Sequence, residues 1–472
     1  MTAPVTLPLW LFVLILLFAA VTFASHFLFP SVRWFLRRRM ERAVAQLNTR
    51  LQRPIEPFRL LGRYDLIQRL IYDPDVTQAI VEHARREKVR EDVAFQRARA
   101  YAREIVPSFS AFTYFSWGVR AARMLSNALY SVRIVQSDEA GLATIGKDAT
   151  VIFVMNHRSN MDYVLVTHLA SDRSALSYAA GEWAQVWPLS ALFKAMGAYF
   201  IRRKSRNNLY RRVLRRYVQM ATENGVTQAM YPEGGLSLDG SLKSPKLGLL
   251  TYITEDLSLA DRDVVFVPVA LNYDRVLEDR VLIAAQDKGQ RKFDARVSRV
   301  SLAVLRHIWL RLTGRFKTFG YAAVSFGAPV SLREEPGLSD DAEALSLELM
   351  RRIAAIVPVL PVPLVAHVLL RGPTTRTALT ADVAAALAAL GDHPVHLPHA
   401  GMAQAVTTGL QPLIDRGAVI ETEDGQLRIA PEEDRLVRFY ANSIAHLFPC
   451  APAGLPSSAA TPPHDDTPAE HC

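Results

Sequence analysis

Val151-Ile-Phe-Val-Met-Asn-His-Arg-Ser-Asn-Met-Asp162 decides how the rest of the chain reads. An apolar, β-branched run of strand length passes without a spacer into polar residues that begin a helix, which places His157 at a strand-to-helix turn. Ser159, with Asp162 three residues on, has the form of a capping box, so Asp162 falls in the first helical turn. From there a carboxylate turns back toward His157, accepts one ring N–H and leaves the other nitrogen as a base. The pair needs no metal. A His with Asp five positions later is weak on its own, and the bland reading is a cap beside a surface imidazole. Of the twelve His residues, however, only His157 has Asp at that spacing and directly follows a buried-type strand.

Outward from this stretch, short apolar runs alternate with helical ones. Ala149 to Met155, Thr227 to Tyr231, Val264 to Leu271 and Ala322 to Phe326 read as strands, and the alternation argues for an α/β domain over about 136–335. Before it, apolar residues from Tyr64 to Ser131 recur at three- and four-residue spacing, giving a helical region within 33–135. Beyond Pro358, helices over Ala378 to Leu390 and Met402 to Arg416 precede a hairpin around Asp424 and Gly425. Its strands are Val419 to Glu421 and Leu427 to Ile429, so 336–448 reads as a smaller, mainly helical, winged-helix-like domain. Basic residues are sparse there, and nucleic-acid binding is not inferred. The last stretch, 449–472, is rich in Pro, Ala and Ser and reads as a disordered tail.

Three further segments carry polar chemistry. Gly197-Ala-Tyr-Phe-Ile-Arg-Arg-Lys-Ser-Arg206 continues to Arg216, with eight basic residues and no acidic one between Ile201 and Arg216. Arg202 and Arg203 lie close to an apolar turn and are the candidates for gripping a phosphate. Arg211 to Arg216 read better as a solvated or lipid-facing surface. Met230-Tyr-Pro-Glu-Gly-Gly-Leu-Ser-Leu-Asp-Gly-Ser-Leu-Lys243 ends a strand at Glu233, before Gly234 and Gly235, which let backbone N–H groups approach a ligand. The bland reading of Glu233 is a turn carboxylate. Gly235-Leu-Ser237 lacks the second glycine of a nucleophile elbow, which argues against a serine hydrolase. In Val264 to Glu278 an apolar strand empties into Asn272, Tyr273, Asp274 and Arg275, where α/β sheets place ligand contacts. Pro268 suggests an edge or a bulge. Arg275 reads equally as a structural partner of Asp274 or Glu278.

The chain begins with Leu7 to Phe29, 23 residues without a charged side chain, long enough as a helix to cross a membrane. Nine Arg against Glu41 and Glu56 follow between Arg33 and Arg63. The positive-inside rule then keeps the remainder in the cytoplasm, with the basic segment able to lie on anionic headgroups. Residues 1–32 thus read as a single-pass anchor in the inner membrane. The 472 residues allow about three domains. Lys plus Arg exceed Asp plus Glu by 55 − 46 = +9, which suits an anionic partner. Hydrophobic residues at 50% exclude bulk disorder, and Cys450 and Cys472 alone cannot build a disulfide framework or a cysteine-rich metal site.

Taken together and in order, Asn156-His-Arg-Ser-Asn-Met-Asp162, Phe200-Ile-Arg-Arg203, Pro232-Glu-Gly-Gly235 and Val267-Pro-Val-Ala-Leu-Asn-Tyr-Asp-Arg275 resemble the four blocks of the glycerolipid acyltransferase superfamily. The Pro-Glu-Gly-Gly form, the Asn-Tyr-Asp-Arg-Val strand end and Phe439-Tyr-Ala-Asn-Ser-Ile-Ala-His-Leu447 are most similar to the bacterial glycerol-3-phosphate 1-acyltransferases. The resemblance implies an acyltransferase sheet with flanking helices and no cofactor. It implies acyl transfer from acyl-CoA or acyl carrier protein to the 1-hydroxyl of glycerol 3-phosphate. By position, His157 deprotonates the acceptor, Asp162 orients it, and Arg202 and Arg203 hold the phosphate. Glu233, Gly234 and Gly235 shape the acceptor site. One departure stands out: Leu236 replaces an arginine common in the superfamily. Lys243 or Lys246 is expected to take its place, unless the acceptor is a lysophospholipid, as in 1-acylglycerol-3-phosphate acyltransferases. A third reading is a membrane lipid-binding protein that has lost turnover; intact His157 and Asp162 speak against it.

Overall fold

The computed structural model describes residues 8–171, 173–181, 189–202, 207–287 and 318–448, without the side chains of 20–37, 40 and 189. The chain divides into two compact units. The first is residues 1–236, 243–271 and 293–356; the second is 237–242, 272–292 and 357–472.

Among the described residues, the first unit is built on a sheet of eight strands: β1 (Ser131–Ser137), β2 (Thr150–Met155), β3 (Ser177–Ala180), β4 (Tyr199–Phe200), β5 (Gln228–Met230), β6 (Val264–Tyr273), β7 (Tyr321–Phe326) and β8 (Val330–Ser331). Their order is β1-β7-β6-β2-β5-β3-β4, with β8 antiparallel on β6. β2 runs parallel to both β5 and β6, and every residue of β2 and β6 is buried. Such continuous apolar runs are what strands covered on both faces require. The four expected strands are all present; β1, β3, β4 and β8 are additions.

Pro268 is not at an edge. It sits in β6 opposite Val154 of β2, and its carbonyl accepts Gly327 N–H at 2.9 Å. Proline lacks only the donor, so a ladder position that uses its carbonyl tolerates it.

The helical leader comprises Arg63–Ile71, Pro74–Arg86, Glu91–Ile105 and Val119–Leu129, as expected for Tyr64 to Ser131. Asp73 caps the second of these by accepting Asp75 N–H at 3.1 Å, with Pro74 at the first helical position. Ahead of them runs a 40-residue helix, Leu9–Asn48. Among the described residues no helix is long and apolar enough to cross a membrane. The expected span Leu7 to Phe29 lies largely outside them, although Leu9 through Phe18 includes nine exposed large apolar side chains.

Three of the arginines expected on a lipid surface do other work. Arg53 donates to the carbonyls of Ala149, Ile145 and Gly146 at 3.0–3.1 Å. Arg63 donates to Val106 O at 3.0 Å. Arg59 is buried, bonds the carbonyls of Ala175 and Leu176, and lies 3.9 Å from the centre of the Phe109 ring, with burial pushing its pKa down to about 10. Each guanidinium is spent on backbone carbonyls of the folded chain.

In the second unit the buried helix Pro361–Leu369 packs on Met402–Asp415 and on Asp434–Ala441. Gly409 permits the first contact, since a Cβ there would lie 2.3 Å from Pro361 O. The expected hairpin forms as β10 (Val419–Glu421) and β11 (Gln426–Ile429), and the short β9 (Thr374–Thr375) extends it. Asn272 and Asp274, expected at a ligand, are structural here. Asn272 donates to Pro358 O at 2.9 Å, and Asp274 accepts Val362 N–H at 2.9 Å. The expected tail, 449–472, lies outside the described residues.

Candidate active site

The register of the parallel strands assembles the site. Val154 of β2 pairs with Met230 of β5. Residues three positions past each are therefore neighbours at the carboxyl end of the sheet, and these are His157 and Glu233. The contact is direct: His157 N–H donates to Glu233 Oε1 at 2.9 Å, and Lys243 N–H donates to Glu233 Oε2 at 3.2 Å. On the other side of β2, the Asn156 amide continues the ladder, accepting Leu271 N–H at 2.8 Å and donating to Leu271 O at 2.9 Å.

His157 and Asp162 meet as expected, with Nδ1 2.8 Å from Oδ2 and both side chains buried. A carboxylate only accepts, so Nδ1 is the donor of this pair, and in the neutral imidazole Nε2 carries the lone pair. The same Oδ2 also accepts Arg158 N–H at 2.8 Å and Ser159 N–H at 3.1 Å, so the carboxylate is fixed before it meets the imidazole. The expected capping box forms in part. Asp162 accepts Ser159 N–H, and the Ser159 hydroxyl accepts Met161 N–H at 3.1 Å.

Sequence reasoning missed Tyr231. Its ring stacks on the imidazole with centroids 4.0 Å apart and planes at 24°, while Tyr163 meets His157 edge-on at 5.5 Å. The stack confines the imidazole to a plane that a hydrogen bond at Nδ1 alone would leave free to tilt. The Tyr231 hydroxyl is buried without a hydrogen-bond partner among the described residues. Burial, with Tyr163 and Asp162 alongside, raises its pKa well above the ordinary value, so it remains a donor. An aromatic with a hydroxyl just before Pro232-Glu233 was the available signal.

Glu233 is 4% exposed, and its pKa is pushed up to about 7. Burial outweighs the opposing pull of His157 N–H, Arg158 and Lys243. The folded protein therefore holds this proton more tightly than the unfolded chain, and stability falls as pH rises from about 4.5 to about 7. Glu233→Gln removes that ionisation. Relative to wild type, the variant is expected to gain on the order of 3 kcal/mol between pH 4 and pH 8, read from denaturant unfolding at each pH. Equal pH dependence of the two proteins would contradict the raised pKa.

Gly234 has φ +67°, and a Cβ there would lie 2.8 Å from Lys246 Cδ and 3.3 Å from its Nζ. Lys246 N–H donates to Pro232 O at 2.8 Å, so the chain returns across the Pro-Glu-Gly-Gly turn with the Lys246 ammonium over Gly234. Gly235 is half-buried in the same turn. Arg202 is engaged elsewhere. Its guanidinium forks onto Glu104 at 2.8 and 2.5 Å and lies over the rings of Tyr101 and Tyr210. Arg203 lies outside the described residues, and Arg275, half-buried, belongs to the second unit. In that unit Ser237 spends its hydroxyl on Ser241 O at 2.7 Å and Asp239 at 3.2 Å, which leaves no nucleophile elbow. Among the described residues no group of three His, Cys, Asp or Glu side chains converges to hold a metal ion.

A buried strand that ends in a His–Asp pair, beside a glutamate-glycine turn, is the geometry behind the resemblance to the glycerolipid acyltransferases, and two family models match the chain. The family described as Acyltransferase matches residues 137–272, and the Glycerol-3-phosphate acyltransferase C-terminal region matches residues 309–455. Among curated relatives, the glycerol-3-phosphate acyltransferase of Ectopseudomonas mendocina is 30% identical over 428 residues, covering 82% of this chain and 49% of that protein. That of Shewanella amazonensis is 28% identical over 450 residues, covering 86% and 53%. The chain thus spans about half the length of the curated relatives it matches. A solved 1-acyl-sn-glycerophosphate (LPA) acyltransferase from Thermotoga maritima is 19% identical, with 59% of this chain and 95% of that one covered at a TM-score of 0.31.

Proposed function

We propose that this protein transfers a fatty acyl group from acyl-CoA or acyl carrier protein to the 1-hydroxyl of glycerol 3-phosphate. The observation that carries the reading is the buried His157–Asp162 pair with Nε2 left as a base. His157 takes the proton as the hydroxyl oxygen attacks the thioester carbonyl. The C–O bond forms, the C–S bond breaks, and the imidazolium returns its proton to the departing thiolate. Backbone N–H groups or basic side chains stabilise the oxyanion, and no metal or organic cofactor is needed.

For the acceptor phosphate, Lys246 beside Gly234 supports a cationic replacement for the arginine absent at Leu236. Lys243 is the second candidate, and Arg202 contributes by exchanging Glu104 for phosphate. The chain is held at the inner membrane by the segment Leu7 to Phe29, with the acyltransferase portion on the cytoplasmic side. The support is a charge-free run followed by arginines, and the exposed apolar side chains from Leu9 to Phe18.

Assaying the purified chain with both donors against glycerol 3-phosphate and 1-acylglycerol 3-phosphate tests the reading. Glycerol 3-phosphate is expected to be the better acceptor, and Lys246→Ala to raise its KM about tenfold or more, the loss of a charge-assisted contact of roughly 1.5–3 kcal/mol. A higher kcat/KM on 1-acylglycerol 3-phosphate would assign the second hydroxyl instead. Unchanged KM in both Lys243→Ala and Lys246→Ala would remove the lysines from phosphate binding.

A further inference from the structure

The helices Pro74–Arg86 and Asn208–Glu223 of the first unit, with Tyr252 of the helix Gly248–Thr254, enclose a cavity of about 300 Å³. It shares no lining residue with the His157 site. Arg86, Arg211, Arg212 and Arg215 line it, and Glu82 is the acidic side chain among the described lining residues. Arg211, Arg212 and Arg215 project from one side of a helix at i, i+1 and i+4, the first turn of which carries no acidic residue and also lines the cavity. The partial positive charge of that turn adds to the guanidiniums. Behind the wall, carboxylates fix two of the forks: Arg215 reaches Glu255 at 3.1 Å and Asp256 at 2.5 Å, and Arg86 reaches Glu87 at 3.3 Å. Arg86 also stands 3.5 Å from His83 Nδ1, and Arg97 closes on Nε2 of the same ring at 3.4 Å, so this wall is cationic to some depth.

Four guanidiniums around a space at the small end of ligand cavities, two of them shared with carboxylates behind it, give that space a positive potential that attracts an anion. Planar forks matched to tetrahedral oxygens, with a phenol as a further donor, select phosphate over carboxylate by the number of bonds they satisfy. We propose that this cavity is a second, non-catalytic site that binds a terminal phosphate group, supplied by a lipid headgroup or by a soluble phosphate. Arg216 departs from the expectation that Arg211 to Arg216 form a solvated or lipid-facing surface, since it pairs with Asp73 and Glu223 at 2.7 Å; Arg211, Arg212 and Arg215 line the cavity, Arg211 remaining exposed.

The test uses the full chain in neutral detergent, titrated calorimetrically with inorganic phosphate, with dihexanoylphosphatidate below its micelle concentration, and with dihexanoylphosphatidylcholine. Wild type is compared with Arg86→Gln/Arg212→Gln. The expected result is binding of the phosphate-bearing probes that weakens tenfold or more in the double variant, while the KM for glycerol 3-phosphate and the melting temperature are unchanged. Dihexanoylphosphatidate binding tenfold or more tighter than inorganic phosphate assigns the lipid source, and equal affinities assign a soluble phosphate. Where the double variant melts lower, Arg212→Gln alone is read, with a weakening of threefold or more expected. Equal probe binding by wild type and variant, or phosphatidylcholine bound as tightly as phosphatidate, would overturn the proposal.

Discussion

His157→Ala is expected to lower kcat for acyl transfer to glycerol 3-phosphate by about 10²–10⁴-fold, the range over which a positioned general base contributes. The KM for the acceptor should change little, because in the proposed mechanism the imidazole acts on the hydroxyl proton and other groups hold the phosphate. The ring is buried against Tyr231 and Tyr163, so its removal also leaves a gap; a melting-temperature comparison separates that from catalysis. Exogenous imidazole small enough to enter the gap should restore part of the rate. Full activity in a folded His157→Ala protein would remove the base from the mechanism.

The second large effect concerns stability. Gly240, in the second unit, has φ +85°, and a Cβ there would lie 1.8 Å from Phe439 O and 2.8 Å from its carbonyl carbon. No rotamer change relieves a collision with backbone, and the left-handed conformation adds a penalty of about 1–2 kcal/mol for any L side chain. Gly240→Ala must lift its loop off the helix Asp434–Ala441 and break the bond from Asn442 Nδ2 to Asp239 O, 2.9 Å long. A loss of about 3 kcal/mol or more is expected in denaturant unfolding. Gly248→Ala serves as the control, because a Cβ at that position would meet nothing within 4 Å and the site opens a helix. It should be neutral or slightly stabilising. Equal effects of the two substitutions would contradict the close approach at Gly240.

Much of the site was legible because local chemistry marks it. The change at Met155 from apolar strand to Asn156-His157 is visible without tertiary information, and the five-residue step to Asp162 sets which helical turn carries the carboxylate. Strands β2, β5, β6 and β7 were legible for the same reason, being apolar runs of ordinary length. By contrast β1 is a half-exposed strand, and β3 and β4 have four and two residues; their pairing depends on neighbours distant in sequence. Pro268 was misread because the rule against central prolines concerns the donor, and this position is used through its carbonyl. Arg53, Arg59 and Arg63 were read by charge alone, whereas the carbonyls that hold them lie 40 to 117 residues away. The stack of Tyr231 on His157 is likewise tertiary, set by the β2–β5 register.

Direct attack of the acceptor hydroxyl on the thioester, with His157 as base, is tested most directly by thiol release from the purified full chain in a single turnover. With acyl donor alone, thiol release should stay at the uncatalysed rate. Addition of glycerol 3-phosphate should release one thiol for each acylglycerol phosphate formed, and His157→Ala should abolish this. A stoichiometric thiol burst before any acceptor is added would mean an acyl-enzyme and would contradict the mechanism.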